Sequence, residues 1–533
     1  MRANHILIFI TGAAVLLLAS CTKKLDLFPT NDLTPQDVYA TSTGYKQALA
    51  KIYAAFALTG NTGGTGSADI PTQIIADEGN SDFLRLYWNL QELTTDEASW
   101  TWQNDAGIRG LHEMSWSSIN PIVSGLYYRS FFQITLANDF IRQASDENVS
   151  GRGITGASAD SIRTYKAEAR FLRAYQYWIL MDLFGNPPFL TEKEGIGAVI
   201  PKQVQRSELF AYLESELKAI ETELPAPKAN EYGRADQAAA WALLARIYLN
   251  ANIYTGTPRY ADAITYCNKI KSNYSLHANY RELMLADNHL NTDEFIFTIN
   301  YDAKNTQNWG GTTYLTHGPA AVPGSVSGTS GNWGGLRFTQ NFVNLFPDPS
   351  GNTDKRAQFY TTGQNLVMGE LYTGTDGYSG TKYRNKTRTG GPAPNADPAG
   401  NWVDIDFPIF RLAEIYLIYA EAVLRGGTGG DAATALAHVN AIRTRAYGNT
   451  SGNITAGQLT LDFILDERGR ELYFEAHRRT DLIRHQKFTT AGYLWAWKGG
   501  VSVGRAVDNK YNLFPLPSTD LSSNPNLVQN SGY

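Results

Sequence analysis

Helical segments with one apolar face recur along this chain and constrain its fold more than any other feature. Ala167, Phe171, Ala174 and Trp178 share one face of a helix. Ala238–Asn250 repeats the arrangement with a partner at Arg259–Lys271, and a further pair occupies Arg411–Arg425 and Asp431–Arg445. Helices are also expected at Gly44–Leu58, Asn120–Gln143, Gln205–Glu223 and Leu461–Arg484. A helix that is apolar along one stripe must bury it against another element, so the chain reads as mainly α, built from packed helix pairs. Between the pairs the composition changes. Gly60–Ala68 is a Gly/Thr/Ser loop, and Asn300–Gly400 is rich in Gly, Asn, Thr and Pro, with short β-type runs such as the neighbouring Glu294–Ile299. So long a stretch inside a compact domain is expected to build a functional surface on the rigid helical scaffold.

Trp241-x-x-Leu244-Ala245-x-x-Tyr248 is close to the first-helix pattern of a tetratricopeptide repeat, and Ala263-x-x-x-Cys267 stands near the matching position of its second helix. Repeats of this kind make one body of a length that otherwise suggests several domains of roughly 150 residues. Trp178 and Trp241, on helices, read as core. Cys21 and Cys267 are the two cysteines of the 533-residue chain. Cys267 reads as a small core residue, not a nucleophile.

At the N-terminus, Arg2 precedes an apolar run, Ile6–Leu18, that ends in Leu18-Ala19-Ser20-Cys21. The run is shorter than the roughly 20 residues needed to span a bilayer and suits a secretory signal. Small residues before a Cys resemble the bacterial lipobox, where the signal (1–20) is removed and the new N-terminal Cys21 is acylated. The mature body, 21–533, is then held to a membrane by lipid alone. An acylated Cys21 cannot pair, which leaves Cys267 as a lone thiol. A net charge of −5 gives no footprint for nucleic acid. The 11 Trp, 30 Tyr and 23 Phe, beside 48 Gly, exceed what a core needs and point to a surface that stacks on a ligand.

Enzyme signatures fail on context. Gly500-Val-Ser502-Val-Gly504 has the spacing of a nucleophile elbow, but no His follows it, and the alternation suits a short strand. Gly427-x-Gly429-x-x-Ala432 follows a helix and reads as a helix–helix connection. His112-Glu113 has Trp116 where a zincin needs its second His. Glu471 and Glu475, one helical turn apart, are a candidate acid–base pair, as a glycosidase requires. Arg478 and Arg479 near Glu475, and Arg484 near Asp481, would instead hold these carboxylates ionised, which makes the run a salt-bridge clamp. The sequence assigns no catalytic residues, no metal ligands and no cofactor.

The run Ile464-x-x-Glu467-Arg468-x-x-Glu471-Leu-x-x-Glu475-x-x-Arg478-x-x-Asp481-Leu-Ile-Arg484 resembles the C-terminal signature of the SusD/RagB lipoproteins. So do the ending, Pro515-x-Pro517 through Asn530-x-Gly532-Tyr533, and an earlier block, Ala167–Tyr175 through Asp182-Leu-Phe-Gly185-x-x-Pro188. With the lipobox, the resemblance covers the chain, with an N-terminal part at about 21–230 and a C-terminal part at about 260–533. It implies a helical, tetratricopeptide-containing outer-membrane lipoprotein facing the cell exterior. Such a protein captures polysaccharide or oligosaccharide and partners a SusC-like TonB-dependent transporter.

Within the family the chain is most similar to starch-binding members, through Asn89–Glu97 with Trp100–Gly107, Thr306–Thr313, and Gly331–Gly335. This implies that Trp102, Trp309 and Trp333 form a curved platform for an α-glucan, with Arg85 and Asn104 or Asp105 as polar contacts. Independently, all three Trp lie in Gly- or Asn-bearing stretches, with Trp100 competing for the role of Trp102. Sugar C–H groups pack on an indole face, and hydroxyls need donors and acceptors at its edge. A lipid-anchored glycoside hydrolase is the rival enzyme reading; a protein-binding helical scaffold is a third and leaves the loop Trp residues without a role.

Overall fold

The computed structural model describes residues 34–65, 68–195, 197 and 199–533; Cys21 and the leader lie outside them. Its scaffold runs through α1 (Ser42–Ala57), α2 (Phe83–Glu92), α3 (Pro121–Gln143), α4 (Ala157–Phe184), α5 (Arg206–Ile220), α6 (Gln237–Leu249) and α7 (Tyr260–Lys271). The C-terminal half adds α8 (Gly311–His317), α9 (Leu412–Leu424), α10 (Ala432–Tyr447), α11 (Leu461–Leu472) and α12 (Arg478–Arg484). Side chains of Thr41, Asn120, Asp236 and Asp431 accept backbone N–H groups at the starts of α1, α3, α6 and α10, which satisfies donors that a helix N-terminus leaves open.

Neighbouring helices pack in a row: α4 lies against α3 and α5, α6 against α7, α7 against α9, and α9 against α10. Ala238, Ala239, Ala240, Ala242 and Ala245 of α6 are fully buried, so small side chains let the backbones approach. Cys267 is buried in α7, and burial pushes its thiol pKa up. Trp178 is core as expected. Trp241 is half-buried, with the Lys269 ammonium 5.4 Å from its ring centroid, a position at the rim of the core. Gly427 and Gly429 lie in the connection between α9 and α10.

Among the short strands, four bear on the site: β1 (Ala98–Trp100), β2 (Phe295–Ile299), β3 (Leu336–Phe338) and β4 (Phe407–Arg411). The expected run at 294–299 is thus a strand, paired antiparallel with β4, which leads directly into α9. β1 pairs antiparallel with β3. The strand expected at Gly500–Gly504 is absent. A short 3-10 turn, Lys498–Gly500, leads into a further turn closed by the Gly504 N–H on Val501 O at 2.9 Å, with Gly504 left-handed (φ 75°).

The helix expected over Leu461–Arg484 is also interrupted. Phe474 and Ala476 take left-handed conformations (φ 61° and 63°) and separate α11 from α12. Two buried carboxylates hold the break: Glu97 accepts the N–H of Phe474 at 2.6 Å, and Glu92 that of His477 at 2.8 Å. These contacts replace the lost helical bonds, so tertiary acceptors override local propensity. The ion-pair partners change accordingly. Glu475 meets Lys382 and Arg411, Glu471 meets Arg411, Arg356 and Arg445, and Arg478 pairs with Asp96. Arg479 donates to the carbonyl of Tyr511; only the Asp481–Arg484 pair is as expected. Burial opposes ionisation of Glu471, yet Arg445, Arg411 and Arg356 hold its pKa down to about 2. A carboxylate so held cannot act as a general acid.

Glu92 and Glu97 also face each other. Burial pushes the pKa of Glu92 up to about 8, and burial with the Glu92 charge raises that of Glu97. Both acids bind protons more tightly folded than unfolded, so their contribution is complete below the ordinary Glu pKa and declines as pH rises toward 8. We expect urea denaturation to show lower stability at pH 8.5 than at pH 5.5. Glu97→Gln keeps an acceptor for Phe474 and gains a donor toward Glu92, and should flatten that dependence. An unchanged pH profile in the variant contradicts this role.

Candidate functional site

The aromatic loops converge because three local contacts bring them together. Asp82, the N-cap of α2, accepts the N–H groups of Arg85 and Gly311 at 2.8 Å each, pinning α2 to the start of α8. The chain passes so close that a Cβ on Gly310 would stand 2.1 Å from that of Asp82. Trp309 projects from just before this junction. Second, β1 and β3 align Trp100 with Leu336, and Thr101 continues the contact through its N–H to Gly335 O at 3.1 Å and its hydroxyl to Gly334 O at 2.7 Å. Trp102 therefore lies beside the turn carrying Trp333. Third, Asn308 donates to Ala57 O at 2.6 Å, fixing the Trp309 loop to the end of α1.

The result is a continuous run of rings. Trp102, 41% exposed, packs edge-on to buried Trp100 at 4.9 Å between centroids. Trp100 meets buried Tyr314 at 5.0 Å, and Tyr314 meets Trp333 at 6.5 Å. Trp333 and Trp309 are 6.0 Å apart with their planes inclined at 57°. Trp102, Trp309 and Trp333 are thus linked through buried Trp100 and Tyr314. Trp102 and Trp100 are resolved as outer and inner residues.

Arg85 is buried; its Nη1 donates to Trp309 O at 3.1 Å and its guanidinium covers the Tyr314 ring at 4.5 Å. It braces the run from behind. Asn104 is exposed, whereas Asp105 is half-buried and accepts the Trp100 indole N–H at 3.4 Å. Burial raises the Asp105 pKa. Asn104 and Asp105, with Asp77, Asn80 and Asn89, line one part of a cleft of about 260 Å³ whose other walls are apolar, among them Ile75, Ile108 and Ile122. Asn89 also accepts the Tyr314 hydroxyl at 2.8 Å.

Sequence reasoning missed Trp402, half-exposed and 4.3 Å from Trp309 between centroids. The signal was present: Asn308-Trp309, Asn332-Trp333 and Asn401-Trp402 are the three Asn-Trp dipeptides of the chain, and all three meet here. His317 joins two of them. Its ring stacks on Trp333 at 5.0 Å and 13°, with Nδ1 2.7 Å from Gly331 O and Nε2 3.0 Å from Asn401 O. Among the described residues, no group of three or more His, Cys, Asp or Glu is placed to hold a metal ion.

Residues 293–533 match the model of the SusD family, and residues 73–249 match one described as "Starch-binding associating with outer membrane". The starch-binding protein SusD of Bacteroides thetaiotaomicron is 35% identical over the whole of both chains. The chain belongs to the SusD family. A SusD-like protein of Bacteroides ovatus is 24% identical, covering 89% of this chain and 82% of its own. Among solved structures, a SusD superfamily protein of Parabacteroides distasonis aligns with a TM-score of 0.70 at 21% identity, over 94% of this chain and 100% of its own. Surface glycan-binding protein A of B. thetaiotaomicron, in complex with laminarihexaose, aligns with a TM-score of 0.66 at 20% identity, over 92% and 99%. These structures share the SusD helical fold described above.

Proposed function

We propose that this SusD-family chain is a glycan-binding lipoprotein, not an enzyme, whose ligand is starch or a related α-glucan. Trp102, Trp309 and Trp333 stack on the sugar rings, Asn104 and Asp105 contact hydroxyls, and Arg85 secures the indoles. The observation that carries this reading is the linked run of rings that joins three partly exposed indoles through a buried aromatic layer. A platform of inclined indoles would suit a coiling glucan, and the full-length similarity to a starch-binding protein supports the same ligand. Native electrophoresis in gels containing starch, laminarin or cellulose derivatives tests it. Retardation by starch is expected, and migration unaffected by starch but slowed by another glucan overturns the α-glucan assignment.

The body, residues 21–533, acts as one unit on the outside of the outer membrane and passes glycan to a SusC-like TonB-dependent transporter. The lipid on Cys21 serves as the anchor. Cys21→Ala should move the protein from the membrane to the soluble fraction. Fatty-acid labelling that persists in the variant overturns the lipobox assignment.

A further inference from the structure

We infer that Trp402 is a fourth sugar-stacking residue, one that lengthens the platform beyond Trp309 and makes binding depend on glucan length. The inference rests on the glucan reading above and adds a residue and a chain-length preference to it. Three observations place Trp402 in the site. Its ring meets that of Trp309 at 4.3 Å and 45°, continuing the run of inclined indoles. Its segment is tied to the Trp333 turn through His317, which bridges Gly331 O and Asn401 O. It is only half-buried, and its indole N–H, like those of Trp102, Trp309 and Trp333, bonds to no described protein group, in contrast with the Trp100 N–H held by Asp105.

The surroundings are built to bring Trp402 to this edge. Asn385 donates to Trp402 O at 3.3 Å, and the Asn401 N–H donates to Asp397 at 2.8 Å, which fixes the backbone on both sides of the ring. Gly64 comes so near that a Cβ there would stand 2.3 Å from the ring. Any larger residue at 64 would push the indole aside. Trp402 follows Trp309 in the run of rings that begins at Trp102, so a ligand must be long enough to pass Trp309 to reach it.

The experiment is calorimetric titration of wild-type, Trp402→Ala and Trp309→Ala protein with maltotriose and maltoheptaose. Trp402→Ala should weaken maltoheptaose binding about tenfold, the scale of one lost aromatic stack with its buried area, and leave maltotriose unchanged. Trp309→Ala should weaken both. Equal losses for both ligands in Trp402→Ala show that it merely props Trp309 and overturn the inference, as does no loss for either. If Trp402→Ala does not fold, ¹⁹F spectra of fluorotryptophan-labelled wild-type protein, with the Trp402 signal assigned through Trp402→Phe, decide the matter. That signal should shift with maltoheptaose and not with maltotriose; no shift overturns the inference. Wild-type protein that binds neither sugar contradicts the α-glucan reading instead, and the same comparison is then made with short and long oligomers of the glycan that retards it in gels. Wild-type protein that binds no glycan overturns both.

Discussion

Replacing Trp102, Trp309 and Trp333 together with Ala is expected to abolish retardation in starch gels while leaving a folded protein. Each indole supplies a stacking face and buried area, so each loss costs about 1.5–3 kcal/mol of binding. Because Trp309 and Trp333 are half-buried, some stability goes with them, but far less than a core substitution removes. Trp178→Ala is the control. Trp178 is 1% exposed, and its truncation should cost about 3–5 kcal/mol of stability with binding by the remaining folded protein unchanged. A triple variant that folds and is still retarded refutes the platform. One that cannot fold shows these indoles to be core.

A stability loss as large as that of Trp178→Ala is expected at Arg411. Its guanidinium touches Glu294, Glu471 and Glu475 at 2.6–2.8 Å, and all four side chains are at most 1% exposed. Arg411→Ala leaves three buried carboxylates short of a partner, which should cost about 3–5 kcal/mol. Lys382 still serves Glu475, and Arg356 and Arg445 still serve Glu471, so the loss is not that of the whole network. Glu475→Gln, which keeps its shape and loses only the charge, should be milder and leave binding intact. Chemical denaturation measures both. A change below about 0.5 kcal/mol in Arg411→Ala, the scale of an ordinary surface substitution, contradicts the clamp.

The helical scaffold was legible because its apolar residues repeat with the period of a helix and its starts carry Thr, Asn and Asp caps. Helix boundaries at Ser42–Ala57, Gln237–Leu249 and Leu412–Leu424 fall within two residues of those read from spacing. The break at Phe474–Ala476 was not legible. It is imposed by Glu92 and Glu97, more than 370 residues away in the chain, and the helical pattern of charges continues through it. The true partners of Glu475 were hidden for the same reason, since Arg411 and Lys382 come from other elements. At the site, Gly-Gly after Trp309 and Trp333 correctly marked loop indoles. Gly310 and Gly335 of these pairs prove to be needed for close approach to Asp82 and Trp100. Arg85, read as a contact, is buried as a brace, because position within a helix does not reveal which loop will cover it. Trp402 went unread although its Asn-Trp dipeptide repeats the pattern of the other two.

The most direct test of the central claim is a crystal structure of the protein with maltoheptaose. The glucan should lie across Trp102, Trp333 and Trp309 with its sugar faces on the indoles and hydroxyls toward Asn104 or Asp105. A glucan bound elsewhere, with these three indoles bare, contradicts the account.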